Sequence, residues 1–186
     1  RFAARVVRGV DPTAHSPQWL RRRLTQAGIR TISLPVDITN YLMLELGQPM
    51  HAFDLDRLTG ALVVRRAVAG EKLTTLDGVT RELVAEDMVI CDTGQPSPLA
   101  GADAGLPVSL AAVMGGETSE VLPSTSNVLF EAAHWDPVMV GRTARRHRLF
   151  SEAAKRWERI RPSLAAASFD GTRGMWQSTH PLGSGG

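Results

Sequence analysis

The stretch TNYLMLELGQPMHAFD, residues 39–54, holds an apolar run between two polar ends: Thr39 and Asn40 before it, His51 beyond Pro49 and Met50. A core helix needs the apolar residues but has no use for an amide and an imidazole placed to converge from its two ends. Such a pair could hydrogen-bond a polar ligand or exchange protons with it. Taken alone, His51 reads first as a structural histidine. Glu131, in VLFEAAHW, is the second unusual group. A carboxylate inside an apolar strand is costly to bury without a partner, so it implies either a salt bridge or a polar ligand, and composition does not choose between them.

Other chemistries find no support. There is no G-x-S-x-G elbow, no GKS/T phosphate loop and no G-x-G-x-x-G. Gly115-Gly116 is a lone pair and reads as a tight turn. The five histidines lack i, i+4 pairing and C-x-x-C companions, so neither a catalytic metal nor a cofactor is expected.

The elements that must carry these groups follow from local signals. RFAARVVRG is a candidate strand. In HSPQWLRRRLTQAGI, Ser16 suits an N-cap, Pro17 the first helical position and Gly28 the stop, with Trp19, Leu20 and Leu24 on one side. Arg21-Arg22-Arg23 reads as a solvated helix face. A second helix is expected over 36–46, ended by Gly47 and barred further on by Pro49. ALVVRRA, DMVICD, LAAVMGG and NVLFEAA read as strands, and KLTTLDGVTREL as a hairpin around Asp77-Gly78. Residues 93–108 read as a Pro/Gly/Ala-rich loop. DPVMVGRTARRHR starts a helix at Asp136-Pro137, and SEAAKRWERI is a second, adjacent one.

The expected fold class is α+β, a mainly antiparallel β core of barrel or sandwich type flanked by helices. Residues 1–161 form one domain in this reading, and 162–186, ending in a Gly/Ser tract, a disordered or artificially appended tail. The 186 residues are 43% hydrophobic, enough for a core, and only 5% aromatic, so Leu, Val and Ala must fill it. A net charge of +2 permits nucleic-acid contact through a local patch without requiring it. A single cysteine excludes a disulfide framework and points to a reducing cytoplasm. There is no run of membrane-spanning length, and Arg1 in place of Met suggests an excised segment.

As a set, VDITNYLMLELGQPMHAFD, TLDGVTREL, LAAVMGGETSEV, LFEAAHWDP and RTARRHRLFSEAAKRWER resemble, in this order, the editing module of bacterial phenylalanyl-tRNA synthetase beta subunits, their paired third and fourth domains. The resemblance runs from about Arg1 to Arg159. It implies hydrolysis of tyrosine misattached to phenylalanine tRNA, with no aminoacylation by this chain alone. It also implies that Thr39, Asn40 and His51 surround the terminal adenosine and the scissile ester. Glu131 and the backbone amide of Ala153 would meet the tyrosine hydroxyl, with Gly115, Ala112 and Ser151 completing the substrate site.

The helix and its Gly47-Gln48-Pro49 turn would then bring Thr39, Asn40 and His51 to one cleft. The implied partner is the aminoacylated acceptor end of tRNA, guided by Arg142, Arg145, Arg146, Arg148, Lys155, Arg156 and Arg159; a synthetase alpha subunit would be met only through domains absent from this chain. Two departures stand out. The family usually reads L-A-G-V-M-G-G, so Ala112 replaces a glycine and could narrow the pocket or forbid a special backbone angle. Ser151 stands where threonine is also common, and after RWER the family's G-V-D-P is missing.

Overall fold

The computed structural model describes residues 1–159, so the expected tail and the boundary at 161 lie outside the described residues. The chain runs β1 (Phe2–Arg8), α1 (Gln18–Gln26), α2 (Leu34–Leu46), β2 (Met50–Asp54), β3 (Leu62–Arg66), β4 (Lys72–Thr74), β5 (Thr80–Glu82), β6 (Met88–Asp92), β7 (Leu106–Leu110), β8 (Met114–Gly115), β9 (Asn127–Ala133), α3 (Pro137–Arg146) and α4 (Glu152–Arg159). The expected α+β class with an antiparallel core is what is found. One sheet has the order β1-β9-β2, a second β3-β6-β7-β8, and β4-β5 is a hairpin. All these pairings are antiparallel.

One core joins the layers. Phe53 and Ala133 from the first sheet meet Val89, Ile90, Val108 and Leu110 from the second, and Trp135, Val140, Ala144 and Leu149 close it from the α3 side. β1, an edge strand of its sheet, is mostly exposed. No helix among the described residues is long and apolar enough to cross a membrane.

Several local signals act as their chemistry requires. Gly47 takes φ 68° at the end of α2 and returns its N–H to the Met43 carbonyl (3.1 Å). Gly78 (φ 74°) turns the β4-β5 hairpin. Asp136 caps α3, its carboxylate accepting from the N–H groups of Val138 (2.7 Å) and Met139 (3.1 Å).

Other expectations need correction. Ser16 does not cap α1. Pro17 sits at that position, and the Ser16 hydroxyl donates instead to the buried Asp37 carboxylate at 2.5 Å. Leu20 and Leu24 are buried, but Trp19 is 54% exposed, so the three do not share the packed side. Residues 106–108 are strand, not loop. LAAVMGG is not one strand: β7 ends at Leu110, a turn follows, and β8 begins at Met114. The turn is made by Ala112 at φ 61°, a left-handed conformation that costs a residue with a Cβ about 1–2 kcal/mol. The Ala112 methyl therefore does not forbid the special backbone angle; the chain adopts it under strain. Finally, MHAFD is a strand, which its sequence did not announce.

Candidate active site

β9 is the central strand of its sheet, so each of its residues has a neighbour on both sides. Glu131 lies opposite Ala4 on β1 and opposite His51 on β2. Directly opposed residues of an antiparallel pair project from the same face. His51 and Glu131 therefore enter one cavity, of about 60 Å³, walled also by Met50, Met114, Gly115, Trp135 and Ala153. The Gln48 amide fixes the approach: buried, it donates to the carbonyls of Ala133 and Pro49, each at 3.0 Å, and so ties the α2-β2 turn to the end of β9.

The imidazole is positioned from two sides. Its edge meets the Phe53 ring at 4.5 Å between centroids and 86° between planes. Its other neighbour is the backbone of Gly115, where an added Cβ would come within 2.6 Å of Nε2. Glycine at 115 is thus a steric requirement of the histidine. Nε2 is enclosed and has no hydrogen-bond partner among the described residues. Burial holds the ring's pKa down at about 4, so His51 is neutral near pH 7.

Glu131 is 6% exposed, and no hydrogen-bonding or ionic partner among the described residues reaches its carboxyl. Burial pushes its pKa up to about 8. Of the two explanations open at the outset, the salt bridge is excluded among the described residues. Two polar groups thus face one cavity with their hydrogen-bonding capacity unspent, a costly arrangement unless a ligand completes it.

The opposite wall is the start of α4. The Ser151 hydroxyl donates to the Val113 carbonyl (2.6 Å) and accepts from the Ala154 N–H (3.1 Å), capping α4 and fastening it to the β7-β8 turn. Ala153, in the first turn, has an N–H with no intrahelical acceptor, and it lines the cavity with Ala112, whose methyl forms part of the same wall. The amide end of a helix favours a negative or oxygen-bearing group.

The remaining expected residues are distributed differently. Thr39 and Asn40 do not line the cavity. Thr39 is buried and its hydroxyl donates to the Val36 carbonyl of its own helix at 2.7 Å, while Asn40 is half-buried. The two ends of the 39–54 stretch therefore do not both reach the cavity, because the helix between them holds them apart. Arg146 is not available to a ligand as expected: with His147 (2.7 Å) and Thr143 (3.2 Å) it grips the fully buried Asp87 carboxylate, at 2.5 Å. Arg142, Arg145 and Arg148 are exposed, Arg156 is half-buried, and Lys155 pairs with Glu152 at 2.8 Å. Met114 and Trp135 are wall residues that sequence reading overlooked, since nothing local distinguishes them from core. No group of three or more His, Cys, Asp or Glu among the described residues could hold a metal ion.

An antiparallel α+β domain whose cavity opposes a partnerless histidine and a partnerless glutamate defines a candidate ligand-binding or hydrolytic module. Comparison with known proteins places it more closely: the B3/4 domain family matches residues 1–170, and the chain belongs to that family. It is 57% identical over 171 residues to the phenylalanine–tRNA ligase beta subunit of Streptomyces avermitilis, covering 90% of this chain and 19% of that protein. The beta subunit of Nocardia farcinica is 56% identical, with 91% and 19% covered, and that of Bifidobacterium longum 54% identical, with 86% and 18% covered. The chain thus spans about a fifth of the length of these relatives. An N-terminal fragment of the phenylalanyl-tRNA synthetase beta subunit from Pyrococcus horikoshii aligns over 79% of this chain and 45% of its own, at 15% identity and a TM-score of 0.48. The resemblance to the paired third and fourth domains of such beta subunits is borne out.

Proposed function

We propose that this domain hydrolyses the ester of tyrosine misattached to phenylalanine tRNA. The observation that carries the reading is Glu131, buried without a partner and facing His51 across the β2-β9 ladder. A pocket shaped for a phenyl ring rejects an added hydroxyl poorly, by about 10²-fold in comparable cases. A second site that hydrogen-bonds the hydroxyl discriminates strongly, because phenylalanine leaves its polar groups unpaired. In this reading the phenol meets Glu131 and the Ala153 N–H.

Neutral His51 orients the attacking water or a ribose hydroxyl and is not a covalent nucleophile. The ester is already activated, so positioning, with stabilisation of the oxyanion by backbone amides near Gly115, supplies the catalysis. The nearby Gly116 N–H is committed to the Val108 carbonyl at 2.8 Å, which leaves other donors to that role. The substrate partner is the aminoacylated end of tRNA. Arg142 and Arg145, exposed on α3, would guide it.

The cavity volume of about 60 Å³ sets a condition. A benzene ring occupies an engineered cavity of about 150 Å³, so a phenol enters only as Met50 or Met114, both flexible, move aside. The same crowding, with the Ala112 methyl in the wall, favours as second reading an ester of a smaller amino acid. Incubation with Tyr-tRNA(Phe) and Phe-tRNA(Phe) tests both. Selective release of tyrosine, abolished by His51→Ala and made unselective by Glu131→Ala, supports tyrosine editing. Inactivity on both esters with activity on a smaller one supports the second reading, and tRNA binding without any release makes the domain a binding module.

A further inference from the structure

We propose that the outer face of α1, centred on Trp19, is a stacking platform for a base of single-stranded RNA, with the neighbouring arginines neutralising its phosphates. The surface lies outside the cavity and its action needs no ester, so it goes beyond the editing reading.

The helix QWLRRRLTQ turns Leu20 and Leu24 inward and leaves Trp19 54% exposed. That ring nonetheless has packed neighbours on one side. Tyr41 of α2 meets it edge-on, 5.3 Å between centroids and 81° between planes. The Arg23 guanidinium lies 5.9 Å from the Trp19 ring centroid and 5.7 Å from that of Tyr41, and donates to the Tyr41 hydroxyl at 2.6 Å. An aromatic surface packed on one side before binding loses less entropy when a base stacks on it. Beside the ring lies a hollow of about 460 Å³, edged by Gln18, Arg22 and Gln26. The two amides can pair with base edges.

Charge selects the occupant. α1 contains no acidic residue, and Arg22, which edges the hollow, forms no ion pair with a carboxylate among the described residues. A face built to dock protein would extend the apolar surface around Trp19. Here the ring is ringed by guanidinium and amide groups, the combination that binds single strands by stacking and phosphate contact. The strand Met50–Asp54, with His51 in the cavity, follows α2 directly after the Gly47–Pro49 turn, so the helix that carries Tyr41 leads from this platform to the cavity wall.

The test is fluorescence anisotropy of an end-labelled oligoadenylate RNA titrated with the chain at several salt concentrations. Trp19→Ala is expected to weaken binding about tenfold, with Trp19→Phe recovering part of the loss. Replacing Arg22 by Ala should reduce the log–log salt slope by about 0.7. Near-ultraviolet circular dichroism and the unfolding midpoint report whether the variants fold. RNA affinity unchanged in folded Trp19→Ala overturns the proposal. So does loss of self-association in that variant with RNA binding intact, which would make the face a protein contact. Because no aminoacyl group is present, this outcome is separate from success or failure of ester hydrolysis.

Discussion

His51 and Glu131 are opposed residues of the β2-β9 ladder, yet neither satisfies the other. The pair carries opposite pKa displacements from one cause, burial: the imidazole falls to about 4 and the carboxyl rises to about 8. Near neutral pH both are therefore mainly uncharged, and the cavity is polar without holding a net charge. An ion pair between them would have spent the hydrogen-bonding capacity that a ligand needs.

That arrangement gives stability a pH signature. Glu131 binds its proton more tightly folded than unfolded, so its contribution is fully present below about pH 4.5 and is lost as pH rises through about 8. His51 has the opposite sign: its contribution is present above about pH 6.5 and is lost as pH falls toward 4. Urea unfolding at pH 5 and pH 9 should show that Glu131→Gln loses less stability over this interval than the unsubstituted chain. Equal losses in both proteins would mean that the carboxyl is not buried and protonated.

Gly115→Ala places a methyl against the imidazole, within 2.4 Å of its Cε1 and 2.6 Å of its Nε2, so one of the two must shift. The expected cost is about 1–3 kcal/mol, read as a lowered urea midpoint. Hydrolysis of Tyr-tRNA(Phe) should fall further than stability accounts for, because His51 is displaced. Combining the change with His51→Ala should remove most of the stability cost, and full additivity would argue against the contact.

Ala112→Gly relieves a left-handed alanine, worth about 1–2 kcal/mol, against about 0.5–1 kcal/mol of added chain entropy. The net gain should fall within about 0–1.5 kcal/mol by denaturant titration. The variant should also admit tyrosine more readily, with a lower KM for Tyr-tRNA(Phe). A higher KM would show that the methyl contacts substrate instead of crowding it.

Asp87→Ala removes a fully buried carboxylate that holds Thr143, Arg146 and His147 at the end of α3. Stranding those donors should cost about 3–5 kcal/mol. Hydrogen exchange should report earlier opening of α3 and α4 than of the sheets, and uniform protection would contradict the anchoring role.

Much of the fold was readable from residues acting on their immediate neighbours. Gly47 ends α2, Asp136-Pro137 opens α3 and Asp77-Gly78 turns a hairpin, and in each case a cap or a left-handed φ needs only a few adjacent residues. β2 was missed because MHAFD has neither alternation nor length, and it is a strand through its ladder with β9. Ser16 looked local as well, but Asp37, distant in the chain, took its hydrogen bond.

The site divides along the same line. Glu131 was conspicuous in the chain as a carboxylate in an apolar strand, since burial cost depends on residue type and surroundings alone. Its partnerless state, its opposition to His51, and the absence of Thr39 and Asn40 from the cavity came from strand register and helix packing. Those are relations between segments far apart in the chain, and no neighbouring residue encodes them. The strain at Ala112 belongs there too, because a methyl in the left-handed region persists only where β7, β8 and the α4 cap hold the turn from both sides.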